Sequence, residues 1–331
     1  MTVSAEELLH ATGSRRRLPD FFIVGHPKCG TTALYEMLRR HPRIYMPDLK
    51  EPWYFASDMR PRFQPARTGE TPDTLESYAA LFASATPEQR VGEASSSYLS
   101  SHTAAERIAE VCGGARVVAI VREPASFLCS LHLQLLRDHV ETERDFGRAL
   151  ALEQARAAGA EIPRRSHLPQ LLRYSEHVRY VQQLRRYHAL FPAERVQVLI
   201  YEDFRANNAA TVRAVLRFLE VDEEVALAPI TANRTTGRMR SQRLEELLNT
   251  VAVGRGPASR AVKATVKTLT PSGVRGAAMR GTRRHVIYGK AKRPDEELML
   301  ALRRRLKPEV VALSEYLERD LVTLWGYDRL T

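Results

Sequence analysis

The chain has 331 residues, 44% of them hydrophobic and 27% charged, and its 50 Lys and Arg residues outnumber 39 Asp and Glu residues to give a formal net charge of +11. This composition excludes disordered, collagen-like and coiled-coil proteins, and no apolar run is long enough to span a bilayer. The three cysteines lack metal-ligand spacing, which argues against a disulfide scaffold or a zinc site. The first 20 residues have no apolar stretch of the kind found in signal peptides, so we expect a cytoplasmic protein.

Apolar runs and helical patterns alternate along the chain. In chain order they predict a strand at Asp20–Gly25, helices at about Thr32–Arg40 and Thr74–Phe82, a strand at Arg116–Val121, helices at Glu123–His139 and Arg173–Leu190, a strand at Arg195–Tyr201, a helix at Asn208–Leu219, and two helices within Asp295–Trp325 that break near Pro308. Strands that alternate with helices indicate an α/β fold with a mainly parallel central sheet. We expect one domain over 20–331, preceded by an N-terminal arm, 1–19.

The positive charge is concentrated in residues 231–293, which we call the basic segment. It holds 15 Lys and Arg but only Glu245 and Glu246 as acids, a local balance of +13, so the rest of the chain carries −2. The pattern predicts a mostly helical segment that packs on the domain. A lid over the nucleotide, a peripheral membrane contact by 255–285 and a site for an acidic acceptor are the alternatives. Tyr288 is its one aromatic residue, which argues against a nucleic-acid partner that stacks bases.

The sequence GHPKCGTT, Gly25–Thr32, connects the first predicted strand to the first predicted helix. Amides at a helix start attract phosphate, and Lys28 adds a movable positive charge. In the nucleotide-triphosphatase loop GxxxxGK[ST] the lysine follows the second glycine, whereas here it precedes Gly30 by two positions, which argues against that cradle. An ordinary turn with an exposed lysine is the alternative. The candidate anion ligands are Lys28, Cys29, Gly30, Thr31 and Thr32, and nearby positive charge would lower the pKa of Cys29.

A second candidate cradle follows the strand Arg116–Val121, in the sequence VREPASFLCS. Arg122 ends the strand and Pro124 suits the first helical turn, so the guanidinium group would point at a phosphate beyond the strand end. Ser130 comes about two helical turns later and would share that face. A surface salt bridge between Arg122 and Glu123 or another acid is the alternative. Two cradles at neighbouring strand ends suit a nucleotide with phosphates at both its 5′ and 3′ ends.

GHPKCGTT, LKEPWYF (Leu49–Phe55) and VREPASFLCS, in this order, resemble the sulfotransferases that use 3′-phosphoadenosine 5′-phosphosulfate (PAPS), in particular the carbohydrate or bacterial-type branch. The resemblance implies a P-loop-like sheet, a Lys28 loop that holds the 5′-phosphosulfate, and Arg122 with Ser130 on the 3′-phosphate. It also implies transfer of a sulfuryl group to a hydroxyl of a small-molecule, sugar or lipid acceptor, without a metal ion. A P-loop kinase-like, ATP-dependent phosphotransferase is the alternative.

The resemblance also assigns catalytic and acceptor-side roles. Glu51 corresponds to a carboxylate on the acceptor side, and we expect it to act as the general base while Lys28 neutralises the leaving phosphate oxygen. A plain ion pair with Lys50, or an acid at a helix start, is the alternative for Glu51. Trp53 stands where the family often has histidine, so it would form an apolar or stacking wall for the acceptor. His167 lies in an RSHLP sequence that falls after both phosphate motifs, and it is only the second choice for the base.

The last motif is YGKAKRP, within the basic segment. Sulfotransferases commonly have a loop rich in Gly, Lys and Arg here that closes on the 3′-phosphate, so the resemblance adds three candidate ligands: Lys290, Lys292 and Arg293. A second departure from the family is Glu93, which is followed by Ala94 where some carbohydrate-type members carry lysine. The acceptor and the oligomeric state stay open at this point.

Overall fold

The computed structural model describes residues 17–59, 71–164, 166–223, 237–239, 288–290 and 295–330. In these ranges five strands form one parallel sheet with the spatial order β2–β3–β1–β4–β5. The strands are β1 (Phe21–Gly25), β2 (Ile44–Tyr45), β3 (Arg90–Ala94), β4 (Arg116–Val121) and β5 (Val196–Ile200). The predicted α/β class and parallel sheet are confirmed, and the three predicted strands match β1, β4 and β5 to within a residue at each end.

Helices flank this sheet and connect its strands. In chain order they are α1 (Thr31–Leu38), α2 (Leu75–Ala80), α3 (Ala104–Cys112), α4 (Pro124–Arg137), α5 (Phe146–Ala151), α6 (Glu153–Ala157), α7 (Tyr180–His188), α8 (Tyr201–Ala206), α9 (Asn208–Phe218), α10 (Glu296–Tyr316) and α11 (Leu321–Leu324). Short 3-10 turns lie at Ser57–Met59, Pro169–Leu172, Tyr174–Val178 and Ala193–Arg195. None of the helices that the structure describes is long and apolar enough to cross a membrane.

Strand β3 is absent from the sequence prediction because its short sequence RVGEA contains glycine and glutamate. A Cβ atom at Gly92 would lie 2.2 Å from Cζ of Phe21 and 2.4 Å from Sδ of Met46. Glycine is therefore required for β3 to pair with β1 beneath these two side chains. β1 is buried along its whole length, since it lies between β3 and β4 at the centre of the sheet.

The predicted helix Arg173–Leu190 is wrong in its first part, because α7 begins only at Tyr180. Residues Tyr174–Val178 form a 3-10 turn instead, and Tyr174 donates its hydroxyl to Glu141 at 3.0 Å. Glu141 also forms a buried ion pair with Arg156, with Nη1 and Oε2 separated by 2.6 Å. These long-range contacts outweigh the local helical pattern.

The predicted break near Pro308 is also wrong, since α10 continues through it to Tyr316. Its buried residues on both sides of the proline form one apolar stripe: Leu302, Leu306, Val310 and Leu313. A proline inside a helix costs about 3 kcal/mol, whereas burial of one such aliphatic side chain contributes about 1.5–3 kcal/mol. Packing of this stripe against α4 and α7 therefore keeps the helix continuous.

The sheet topology brings the two predicted cradles together. From β1 the chain passes to β2 and β3 on one side and later returns to β4 and β5 on the other, so the strand order reverses between β1 and β4. In open α/β sheets, ligands bind in the crevice at such a reversal, beyond the carboxyl ends of the strands. The loop after β1 and Arg122 after β4 both lie at this edge.

Little of the basic segment is described. Gly237–Met239 (β6) and Tyr288–Lys290 (β7) pair as antiparallel strands. Residues 255–285, together with Lys292 and Arg293, lie outside the described residues, and so does the N-terminal arm before residue 17. The expected helical character, lid and membrane contact of the segment therefore stay predictions.

Candidate functional site

The loop after β1 presents free helix amides. The first hydrogen bond of α1 joins Leu34 N to Gly30 O at 3.0 Å, so the amides of the first turn, at Thr31 to Ala33, have no carbonyl partner within the helix. No side chain caps this end, and Gly30 has a left-handed φ of 88°. A Cβ atom there would lie 3.0 Å from the ring of Phe204. The helix start is therefore shaped to receive an anion.

Lys28 is held in this loop, also with a positive φ of 65°. Burial lowers the pKa of its ammonium group to about 8, and the positive charges of Arg137 and Arg122 act in the same direction. The lysine is charged at pH 7, close to two guanidinium groups of the same sign. A bound phosphate would offset this repulsion, so the local electrostatics favour an anionic ligand.

Arg122 connects the two strand ends. Its Nη1 donates to the carbonyl of Lys28 at 3.0 Å, and its guanidinium carbon lies 4.7 Å from the ring centroid of Tyr201. Its buried Nε has no hydrogen-bond partner among the described residues. The side chain of Glu123 is directed elsewhere, because it caps α4 by accepting from the amides of Ala125 at 3.1 Å and Ser126 at 2.7 Å. The sequence alternative of an Arg122–Glu123 salt bridge is thus not what forms.

Ser130 lies half-buried on α4, two turns after the helix start. Arg137 follows it by seven residues and therefore lies on the same helix face. The positive charge of Arg137 contributes to the lowered pKa of Lys28. Sequence reasoning missed Arg137, whose position at the last turn of α4 gives no motif.

Cys29 differs from the expectation for its thiol. The residue is fully buried, and burial raises the pKa of the thiol to about 12, so the expected lowering by positive charge is wrong. Arg122 and Lys28 do favour the thiolate, but they do not overcome the loss of water. The Cys29 amide donates to the carbonyl of His26 at 3.2 Å and thereby shapes the loop.

This burial predicts the order of cysteine modification. We expect iodoacetamide at pH 8 to alkylate the half-buried Cys129 before the buried Cys29 and Cys112. Mass spectrometry of peptides from briefly treated, folded protein checks the order. Preferential labelling of Cys29 would contradict the packing of the loop described here.

Glu51 lies beside the end of β3. Its amide donates to the carbonyl of Ala94 at 3.0 Å. Its Oε1 accepts from Lys50 Nζ at 2.5 Å and Ser96 Oγ at 2.7 Å, and its Oε2 from Trp53 Nε1 at 2.9 Å and the Ser96 amide at 2.8 Å. A carboxylate has about four lone-pair positions, so these donors fill its hydrogen-bonding capacity.

This environment keeps Glu51 ionised. Burial alone would raise its pKa, but the charge of Lys50 and the hydrogen bonds from Lys50, Ser96 and Trp53 outweigh burial and hold the pKa below its usual value. The side chain is 24% exposed. An acceptor hydroxyl that approaches this carboxylate must replace one of the four donors. The plain ion pair with Lys50 that the sequence left open is present, as one part of this larger arrangement.

Glu93 is a second carboxyl group close to Glu51, on strand β3. It is fully buried and accepts from the hydroxyl of Tyr78 at 3.2 Å. Burial raises its pKa to about 7, and the negative charge of Glu51 adds to the shift. Tyr78 in turn stacks on Tyr54, with ring centroids 4.5 Å apart. The segment Leu49–Phe55 is therefore linked, through Tyr54 and Tyr78, to a carboxyl group whose pKa is raised to about 7.

A raised pKa makes Glu93 a source of instability at alkaline pH. The folded state binds the proton more tightly than the unfolded chain, so the contribution to stability is fully present below pH 4.5 and is lost as the pH rises to about 7. We expect Glu93→Gln to reduce the loss of unfolding free energy between pH 5 and pH 8 by about 2 kcal/mol. Urea unfolding at both pH values measures this, with the exposed Glu106→Gln as control. An unchanged pH dependence in Glu93→Gln would contradict it.

The remaining candidates lie in other parts of the chain. His167 lies just before the turn Pro169–Leu172, and Gln170 of that turn donates to the carbonyl of Asp58 at 3.3 Å. Lys290 ends β7, and Lys292 and Arg293 are outside the described residues. Trp53 contacts Glu51 through its ring nitrogen, and its role as a wall for the acceptor stays a prediction.

The comparison with protein families identifies the fold around this site. The model of the sulfotransferase family matches residues 19–224, which is more than half of the chain. The chain belongs to the sulfotransferase family. The match covers β1 to α9 and so includes the Lys28 loop, the Glu51 segment and Arg122.

Individual relatives match this chain over shorter stretches. Carbohydrate sulfotransferase 15 of Homo sapiens is 49% identical over 51 residues, which cover 14% of this chain and 9% of that protein. Membrane-associated sulfotransferase kil1 of Dictyostelium discoideum is 30% identical over 110 residues, 32% of this chain and 21% of that protein. The chain thus aligns with less than a quarter of either relative's length.

A solved structure extends the comparison to the whole fold. The sulfotransferase from Alicyclobacillus acidocaldarius covers 94% of this chain and 99% of its own, with a TM-score of 0.65 and 24% sequence identity. This likeness shows a common fold.

Proposed function

We propose that the protein transfers the sulfuryl group of PAPS to a hydroxyl group of an acceptor. The observation that carries the proposal is the hydrogen bond from Arg122 to the carbonyl of Lys28, because it joins the cradles at two neighbouring strand ends. The residues present fit a nucleotide with phosphates at both ends. The α1 amides and Lys28 suit the 5′-phosphosulfate, and the buried, unpartnered Nε of Arg122 suits the 3′-phosphate, with Ser130 on the adjoining helix face.

Positioning and charge stabilisation would supply most of the rate, as in phosphoryl transfer. When the S–O bond to the 5′-phosphate breaks, negative charge develops on the leaving phosphate oxygen. Lys28 and the amides of Thr31 and Thr32 are the donors available to that oxygen. Arg137 and Arg122 raise the positive potential further, which favours the departing anion.

Glu51 is the proposed general base. The acceptor hydroxyl would replace Lys50 or Trp53 on the carboxylate and then deliver its proton to the freed oxygen as the new S–O bond forms. Because its pKa is held below the usual value, Glu51 is ionised before the acceptor binds. A base of this kind is weak in the resting site, and loss of one donor on acceptor binding strengthens it.

The acceptor is proposed to be a sugar or another small molecule with a hydroxyl group. The indole of Trp53 borders Glu51 and offers a flat apolar surface, which suits the face of a sugar ring or an aromatic acceptor. The human relative is named as a carbohydrate sulfotransferase, which supports the sugar. The three unpaired cysteines agree with a reducing, cytoplasmic setting.

The proposal is tested by transfer of label. Purified protein is incubated with PAPS labelled in the sulfuryl group and a fractionated small-molecule extract. We expect label to move into a product that an acid phosphatase does not attack, with stoichiometric release of adenosine 3′,5′-bisphosphate. Transfer of the γ-phosphate of labelled ATP in the presence of Mg²⁺, without transfer from PAPS, would instead support the kinase-like alternative.

A further inference from the structure

The residues next to Arg122 and Tyr201 are both acidic, which creates a problem for an anion site. Glu123 follows Arg122 at the start of α4, and Glu202 follows Tyr201 at the start of α8. A carboxylate that paired with the Arg122 guanidinium group would neutralise it and occupy the donors that a phosphate needs. An open anion site therefore requires that other groups keep the carboxylates of Glu123 and Glu202 away from the guanidinium group of Arg122.

Both carboxylates accept hydrogen bonds from the C-terminal segment, by which we mean Trp325–Tyr327, just after α11. Trp325 Nε1 donates to Glu202 Oε2 at 2.9 Å, and the hydroxyl of Tyr327 donates to Glu123 Oε1. The other oxygen of Glu202 faces the Glu123 amide at 3.4 Å. Both aromatic residues are buried, Trp325 at 6% exposure and Tyr327 at 0%.

Arg303 of α10 fixes this segment. It donates to the carbonyl of Trp325, and its guanidinium carbon lies 4.6 Å from the ring centroid of Tyr327. Its Nε is 3.9 Å from Glu123 Oε1. The segment is thus held in one arrangement against the edge of the sheet, about 200 residues after the strand end that it contacts.

The guanidinium group of Arg122 keeps different contacts. It stacks on Tyr201 and donates to the carbonyl of Lys28, and the hydroxyl of Tyr180 donates to the Arg122 carbonyl at 3.0 Å. The carboxylates of Glu123 and Glu202 meanwhile accept from Tyr327, Trp325 and backbone amides. The two carboxylates are therefore kept apart from the guanidinium group of Arg122 by local backbone amides together with donors from the C-terminal segment.

We propose that Trp325 and Tyr327 are positioning residues that engage the carboxylates of Glu202 and Glu123 and so leave the Arg122 guanidinium group available to the 3′-phosphate of the donor nucleotide. This inference rests on the proposed function and adds residues to it. Without Trp325, the Glu202 carboxylate would keep only the long contact to the Glu123 amide and would turn toward Arg122, since a poorly paired buried carboxylate is costly. Without Tyr327, Glu123 would keep the amides of Ala125 and Ser126 but lose the donor that holds Oε1 on the side of the C-terminal segment.

The test compares the affinities for adenosine 3′,5′-bisphosphate and for AMP, measured by calorimetry in the presence of EDTA. The affinity for the bisphosphate divided by the affinity for AMP isolates the contribution of the 3′-phosphate. We expect Tyr327→Phe and Trp325→Phe each to lower this ratio about fivefold while AMP affinity stays within twofold of wild type. The matched control is Tyr316→Phe, which removes a hydroxyl group near the end of α10 that is hydrogen-bonded to His188 of α7. This variant should keep the wild-type ratio.

Rescue separates positioning from a structural role. In Trp325→Phe/Glu202→Gln the competing charge is gone, so we expect the ratio to return toward the wild-type value, which a merely structural defect would not do. Wild-type ratios in both single variants would overturn this inference alone. Equal loss of affinity for both nucleotides, without rescue, would also overturn it. A wild-type protein that does not prefer the bisphosphate would overturn the proposed function itself.

Discussion

Replacement of Lys28 by methionine is expected to weaken the binding of adenosine 3′,5′-bisphosphate about 10- to 100-fold, the usual worth of a hydrogen bond to a charged group. The rate of sulfuryl transfer should fall further, by about 100- to 1,000-fold, because the charge on the leaving oxygen is largest in the transition state. Calorimetry measures the first effect, and steady-state transfer from PAPS measures the second.

The pKa of Lys28 gives this prediction a pH dependence. Burial and two nearby guanidinium groups lower the pKa to about 8, so the ammonium group is charged below pH 8 and loses its charge above it. Wild-type affinity for the nucleotide should therefore decline as the pH rises through about 8. Lys28→Arg stays charged, so its affinity for the nucleotide should lack this decline. Lys28→Met should bind the nucleotide weakly both below and above pH 8. The same decline in Lys28→Met would show that another group titrates.

Replacement of Glu51 by glutamine is expected to abolish most transfer while nucleotide binding survives. General-base catalysis contributes about 100- to 10,000-fold, and an amide cannot accept the proton. Affinity for adenosine 3′,5′-bisphosphate should stay within about twofold of wild type, since the proposed ligands of that nucleotide are Lys28, Arg122 and the α1 amides and do not include Glu51. Single-turnover transfer and calorimetry on the same preparation separate the two effects.

The Glu51→Gln variant needs a control because the carboxylate of Glu51 accepts from four hydrogen-bond donors. In Glu51→Gln the new amide NH₂ group is a donor that faces the donors of Trp53, Lys50 or Ser96. This clash would displace the loop, and part of the loss of activity would come from that displacement. Ser96→Ala removes one donor to the carboxylate and leaves the base in place, so it should lose far less activity than Glu51→Gln. If Glu51→Gln kept near-normal turnover, the carboxylate would serve only to order this segment.

The local motifs of the site could be read from the sequence because each lies within about ten residues. GHPKCGTT predicted the β1–α1 junction, and VREPASFLCS predicted the end of β4 with the start of α4. A strand, a glycine and a helix start in succession determine where amides and side chains point, whatever the remainder of the fold does. The alternation of strands and helices likewise predicted the parallel sheet.

The features that were missed depend on residues far apart in the chain. Trp325 meets Glu202 across 123 positions, and Gly92 is needed only because Phe21 and Met46 pack on it. The thiol pKa of Cys29 required the extent of burial, which a count of nearby cations does not give. Pro308 predicted a helix break because the destabilising effect of a proline on a helix can be inferred from the sequence alone. The buried stripe that offsets this effect depends on packing against α4 and α7.

Titration of the wild-type protein with adenosine 3′,5′-bisphosphate, by calorimetry in EDTA, tests the central claim that both ends of a bisphosphorylated nucleotide are held by Lys28 and Arg122. We predict saturable 1:1 binding without a metal ion, tighter than that of AMP, and weakened by Lys28→Met and by Arg122→Ala. Binding of ATP with Mg²⁺ alone, and none of the bisphosphate, would contradict the account.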